Sequence, residues 1–290
     1  MKLHLPSQSL SQGTALSSYF RVVAVLALLP SLAVGQASAS HRPRTQLNPI
    51  DDTQTFVTQN YLDFLNRQPD AAGLAFWMDN IDSCGADAAC IEVKRIDTSA
   101  AYFLSIEFQE TGYLVHRFYR ASFGRRPLFT EFLTDTETIG NGVVVNSPGW
   151  EQLLESNKQS FADAWVARAT FTSIYDGLTN EQYVDTLIAN TGVAFSETDH
   201  DSLVDVLNTH AMTRERVLRI VAENYDFYNA EYNVAFVEME YFGYLRRDPD
   251  ADGFNFWLNK LNEFRGDFRQ AEMVKAFLVS SEYRQRFGPP

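Results

Sequence analysis

Asp248-Pro249-Asp250-Ala251-Asp252-Gly253 puts acids at the first, third and fifth positions of a six-residue run and glycine at the sixth, as a calcium loop begins. Position twelve is Asn259 rather than the bidentate glutamate, and Pro249 suits such a loop badly. The same acids fit the first turn of a helix, where a carboxylate caps free backbone N–H groups and meets the positive end of the helix dipole. The spacing favours capping. Asp248, Asp250 and Asp252 stand as weak calcium ligands, and no other cofactor is expected.

Other chemistry is sparse. His116, His200 and His210 lack metal-site spacing and read as incidental. No G-x-S-x-G, H-E-x-x-H or glycine-rich phosphate loop is present, and no carboxylate pair is placed by sequence at catalytic separation. Arg67 with Asp70, and Arg247 with Asp250, read as partly buried ion pairs pinning a helix break, with ligand contact as the alternative. Phe76, Trp77, Phe256 and Trp257 read as core aromatics by their helical spacing, with sugar stacking as the alternative.

These residues belong to an internal repeat. Tyr61, Leu65, Arg67, Pro69, Asp70, Gly73, Phe76 and Trp77 recur as Tyr241, Leu245, Arg247, Pro249, Asp250, Gly253, Phe256 and Trp257, at a constant offset of 180 residues. Such periodicity reveals the building unit. Val57, Tyr61, Phe64 and Leu65 follow the apolar spacing of an amphipathic helix, capped by Asp52 or Thr53. Pro69 ends it near Arg67, and Asp70 opens a second helix. Gly73, a turn before Trp77, marks a close approach to that helix. A third helix follows, with Ala101–Phe108 matching Ala276–Tyr283 at an offset of 175.

Weaker copies lie between. Tyr119, Phe123, Gly124, Arg125 and Pro127 repeat the first spacing, but Leu128 replaces the aspartate and the glycine and tryptophan are missing. Four units are expected, near 52–112, 113–178, 179–229 and 230–288, grouped as helical domains 52–178 and 179–288. Val143-Val144-Val145 is the one place where a short strand is expected. The fold class is all-α, built from repeated hairpin-plus-helix units.

Lys2 and Arg21, the 13-residue apolar run Val22–Val34 and the Ala37-Ser38-Ala39 exit together predict a signal peptide over residues 1–39. The run is too short for a helix spanning about 30 Å of hydrocarbon. Residues 40–51 are expected as a flexible leader. Export makes Cys84 and Cys90 a local disulfide. A continuous helix would hold them roughly 9 Å apart, beyond disulfide reach, so Gly85 is expected to open a turn.

The chain carries 24 Lys and Arg against 37 Asp and Glu, a net charge of −13. Residues 1–39 hold Lys2 and Arg21 and no acid, leaving 22 bases against 37 acids, or −15. That charge disfavours nucleic acid and anionic lipid as partners. No membrane insertion is expected after signal removal.

The spacing Tyr-x3-Leu-x-Arg-x-Pro-Asp-x-x-Gly-x-x-[aromatic]-Trp, followed by Ser105-x-Glu107-Phe108 or Ser280-x-Glu282-Tyr283, resembles the bacterial domain-of-unknown-function family 4214. One clear copy lies near each end, together covering well under half of the chain. The resemblance implies helical modules of exported or surface-associated bacterial proteins, some beside calcium-binding or surface-layer repeats. It implies no catalytic residues. The expected function is a non-catalytic exported module binding a protein or glycan partner in the periplasm, at the cell surface or outside the cell. An acid/base polysaccharide hydrolase is the alternative, and a calcium-stabilised surface module a lesser one.

Overall fold

The computed structural model describes residues 48–289, so the expected signal peptide and leader residues 40–47 lie outside the described residues. The helices are α1 (Thr53–Phe64), α2 (Ala71–Asp82), α3 (Ala88–Leu104), α4 (Ile106–Glu110), α5 (Gly112–Phe123), α6 (Phe129–Gly140), α7 (Trp150–Val166) and α8 (Ala169–Tyr175). They continue as α9 (Asn180–Thr191), α10 (Glu197–Asn208), α11 (Arg214–Ala222), α12 (Tyr225–Glu240), α13 (Ala251–Glu263), α14 (Met273–Val279) and α15 (Ser281–Gln285). The fold is all-α. Among the described residues there is no strand, and Val143–Val145 lie in a turn whose Val143 is buried. With no second extended segment to pair with, Val143 serves the core instead, while Val144 and Val145 stay half-buried.

Local chemistry sets the helix ends. Asp52 accepts from the Thr55 N–H at 2.8 Å and starts α1. That helix stops at Phe64, before the expected Arg67, because Asn66 turns left-handed at φ 54°. Asp70 and Asp250 cap α2 and α13, accepting from Gly73 at 2.8 Å and Gly253 at 2.7 Å. The Ser-x-Glu motif has a clear physical reading. Ser105 and Ser280 end the third helix and cap α4 and α15, accepting from Phe108 and Tyr283, both at 3.1 Å. Cys84 and Cys90 form a disulfide with Cα atoms 5.6 Å apart, across the turn that Gly85 opens at φ 57°.

The two end units pack on one another through equivalent parts. A π-helical turn, Tyr241–Leu245, follows α12. It packs on α1, its own counterpart, and α14 packs on its counterpart α3. Phe64 and Tyr244, equivalent residues, meet edge to face with centroids 5.3 Å apart. Val93 with Phe268, and Asp97 with Glu272, are equivalent pairs lining one small cleft. Like meeting like is how the halves of a two-fold dimer associate.

The described residues, 48–289, belong to one compact unit. α5 packs on α9 and α11, and α7 on α11, across residue 178, the expected domain boundary. One helix, α12, runs through the expected unit boundary at 229 and 230. The leader expectation needs correction for residues 48–51. Ile50 is fully buried, Asn48 donates to the Arg284 and Pro289 carbonyls at 3.1 and 2.9 Å, and Asp51 pairs with Arg284 at 2.8 Å. One apolar side chain with satisfied polar neighbours is enough to hold this segment against the C-terminal copy.

Candidate functional site

Arg67 is the hub of the first motif. Its guanidinium lies 4.9 Å from the Tyr61 ring centroid and donates to Glu107 through Nε at 2.6 Å and Nη2 at 2.8 Å. Nη1 donates to the Gln68 carbonyl at 3.1 Å and stands 3.6 Å from Asp70. The expected Arg67–Asp70 pair is therefore the looser contact, and Glu107 is the main partner. Asp70 is held below the usual carboxylate range by the Gly73 N–H, helped by Arg67. Burial opposes the charge on Arg67, but its hydrogen bonds to Glu107 overcome this and raise its pKa.

Gly73 is required by contact. A Cβ there would collide with the Tyr61 hydroxyl, as one at Gly253 would with Tyr241. Gly73→Ala is expected to cost about 1–3 kcal/mol through overpacking, and adding Tyr61→Phe should recover much of it. Thermal melts of the two single variants and the double check this. An additive double variant would mean that the hydroxyl is not what excludes a side chain.

The last copy repeats the geometry in the open. Arg247 stands 5.3 Å from the Tyr241 ring and 2.6 Å from Glu282, with Asp250 at 3.6 Å. Glu282 is 49% exposed where Glu107 is 7%; the expected Arg–Asp pairs are the looser 3.6 Å contacts in both copies, with Asp70 39% and Asp250 59% exposed, and the buried partner is Glu107 in the first copy alone. The second unit keeps the stack, with Arg125 5.0 Å from Tyr119. Gly124 at φ 62° and Arg246 at φ 56° share the left-handed position of Asn66. The backbone turn and the Arg–Tyr stack thus survive where the aspartate, glycine and tryptophan are lost.

The aromatic expectation is half corrected. Trp77 and Trp257 are half-buried against Tyr102 and Phe277, with centroids 5.9 and 5.7 Å apart. Phe76 and Phe256 are 63% and 58% exposed. Each stands edge-on to its tryptophan at 4.9 Å. Adjacent helical residues point about 100° apart, so both cannot face the core.

In the first copy these residues line a cleft of about 520 Å³. Tyr61, Arg67, Asp70, Gly73 and Trp77 meet Tyr102, Ile106 and Glu107 there, and the loop Val144–Ser147 forms a further wall. Pro69 lies in the link between α1 and α2. The Tyr102 hydroxyl is buried without a hydrogen-bond partner, and burial pushes its pKa far up. Its neighbour Tyr61, with ring centroids 5.0 Å apart, adds to the rise.

The acidic run is engaged elsewhere. Asp250 caps α13, and Asp248 accepts from the Phe129 N–H at 2.7 Å. Asp252 sits in the first turn of α13. Among the described residues, no group of three His, Cys, Asp or Glu side chains is placed to hold a metal ion.

One cluster escaped the sequence reading. His116, read there as incidental, is fully buried on α5 between two α12 carboxylates, Glu238 at 2.7 Å from Nδ1 and Glu231 at 2.8 Å from Nε2. Arg120 lies 3.0 Å from Glu231 and Arg126 3.8 Å from Glu238, beside a second cleft of about 520 Å³. Desolvation opposes charge on His116, but the two glutamates overcome it and raise its pKa. Burial raises Glu238. It also opposes the charge on Glu231, yet His116 and Arg120 pull that carboxyl down. The available signal was spacing: bases at i and i+4 on α5 and acids at i and i+7 on α12, each on an apolar helix face.

The family model described as Domain of unknown function (DUF4214) matches residues 39–89 and 222–287. The chain carries two DUF4214 copies, one near each end. The first match stops within the disulfide-closed loop, where the first copy has its five extra residues. The second runs through Glu282 and Tyr283. No curated protein and no solved structure matches the chain. Among the described residues, no helix is long and apolar enough to cross a membrane.

Proposed function

We propose that the chain is a non-catalytic exported module whose first DUF4214 cleft binds an envelope or extracellular partner. The observation that carries this reading is the convergence of motif residues on a mostly apolar cleft of ligand size. Its carboxylates are poorly suited to acid/base work. Asp70 is held ionised by the Gly73 N–H, and Glu107 is engaged by Arg67 through both oxygens. Ile106 is exposed at the cleft, so Ile106→Glu should leave the melting midpoint within about 2 °C, as surface changes usually do. The same variant should abolish binding to isolated envelope and extracellular-matrix material. Undiminished binding by this variant would contradict the assignment.

The hydrolase alternative has one observation in its favour, the opposite pKa shifts of Glu231 and Glu238, the pattern of an acid and its partner. Against it, both carboxylates are bonded to His116 and buried, and no aromatic ring lines their cleft. A reducing-end assay on polysaccharides is expected to show no turnover. Turnover abolished by Glu238→Gln would reverse the assignment. For the calcium reading, binding to the native state must raise the melting midpoint by linkage. The expected result is the same midpoint with calcium and with chelator. A calcium-dependent rise lost in Asp250→Ala and Asp252→Ala would make the acidic run a metal site.

A further inference from the structure

We infer that Glu240 is an uncharged acid held in the contact between the two DUF4214 copies, and that its ionisation loosens this contact as pH rises. The copies themselves supply the argument. Glu240 and Asn60 are equivalent by the 180-residue offset, and both are buried, at 1% and 2% exposure. Asn60 has its partners. Its amide donates to the Phe56 carbonyl at 2.8 Å, and its oxygen accepts from the Ser99 hydroxyl, which is bonded in turn to the Tyr244 hydroxyl of the other copy. By the offsets of 175 and 180, Val274 and Phe64 stand to Glu240 as Ser99 and Tyr244 stand to Asn60. Neither has a polar side chain, and Glu240 Oε2 is left without a hydrogen-bond partner. One position is thus built to satisfy a neutral polar group, and its twin offers a carboxyl nothing in return.

The charged groups of the surrounding elements are engaged elsewhere. On α1, Asp63 is bonded to Arg286 and lies 3.6 Å from Arg246. On α5, His116 is held by Glu231 and Glu238. Arg95 of α3 lies over the Phe56 ring and Lys260 of α13 over Trp257, while Arg219 of α11 pairs with Glu155 and Lys275 of α14 with Glu92. Tyr283 of α15 stands edge-on to Tyr244, and Tyr244 is the titratable group on which Glu240 acts. A carboxylate isolated in such a setting takes up a proton rather than stay charged. Burial raises the Glu240 pKa well above its ordinary 4.5, with no cation to oppose the rise. Its contribution to stability is therefore complete below about pH 4.5 and is lost as pH rises from there through the folded value. Once ionised, the charge lies beside the turn Tyr241–Leu245, which packs on α1, and that contact opens to hydrate it.

The test is denaturant unfolding of wild type, Glu240→Gln and Glu240→Leu from about pH 5 to 9. The His116 cluster is common to all three, so its own pH dependence cancels in the differences. Both variants are expected to gain on wild type as pH rises, the ratio of unfolding constants growing by up to about tenfold per pH unit until the folded pKa is passed. A fixed difference, of either sign, reports only the exchange of one side chain for another and would overturn the inference. Hydrogen exchange of wild type needs no variant. After correction for intrinsic exchange, protection should fall between about pH 6 and 9 in α1 and the turn Tyr241–Leu245 more than in α9 and α10. An even loss, or one confined to the helices that hold His116 and its two glutamates, would overturn it as well.

Discussion

His116→Ala is expected to lower stability by about 3–5 kcal/mol, because it removes the cation between two buried carboxylates and leaves Glu238 only Arg126 at 3.8 Å and Glu231 only Arg120 at 3.0 Å. For a chain of this size each kcal/mol moves the midpoint by roughly 2–4 °C, so a fall of about 10 °C or more should be seen. The pH dependence has a definite sign. The folded pKa of His116 lies above its ordinary 6.5, so its contribution is complete below about pH 6.5 and is lost as pH rises through the folded value. Glu238, raised from 4.5 by burial, acts in the same direction. Glu231 is lowered, so its contribution is lost only as pH falls through its depressed value. These groups share protons and titrate as a set. Stability should therefore decline on the alkaline side of neutrality, and His116→Gln should flatten that decline. A melting midpoint rising from pH 6 to 8 would contradict the charged network.

Arg67→Ala and Arg247→Ala change the same motif position and are expected to differ severalfold. Removing Arg67 strands Glu107, whose side chain is 7% exposed, and breaking such a buried pair costs about 3–5 kcal/mol. Arg247 and Glu282 are 41% and 49% exposed, and an exposed pair contributes at most about 1 kcal/mol. Denaturant unfolding of the two variants measures this directly. Equal losses would mean that the pair acts through backbone geometry shared by both copies rather than through burial.

The legible features were those written into short stretches of sequence. Asp52, Asp70 and Asp250 announce helix starts because a cap acts within three residues. Gly73 announces a close approach, though not that a tyrosine hydroxyl makes it. The constant offset of 180 gave the repeat, and Cys84 with Gly85 gave the closed turn. Features joining distant residues were not legible. Glu107 was quoted in the motif yet not paired with Arg67, 40 residues earlier. His116 finds Glu231 and Glu238 more than 100 residues away, and a lone histidine carries no mark of that. Phe76 sits in an apolar helix, and only the packed structure shows which side of it meets solvent. Ile50 lay among prolines and polar residues, and its burial depends on the C-terminal copy returning to cover it.

The account turns on the first DUF4214 cleft as the place where the partner sits. Hydrogen exchange of the chain, free and with envelope or matrix material bound, tests this most directly. Added protection is expected in three separated segments: the end of α1 through α2, the Tyr102–Glu107 junction, and the loop Val144–Ser147. Protection confined to the groove that Glu155, Gln159, Arg216 and Arg219 line between α7 and α11, or to the His116 cleft, with these three unchanged, would contradict it.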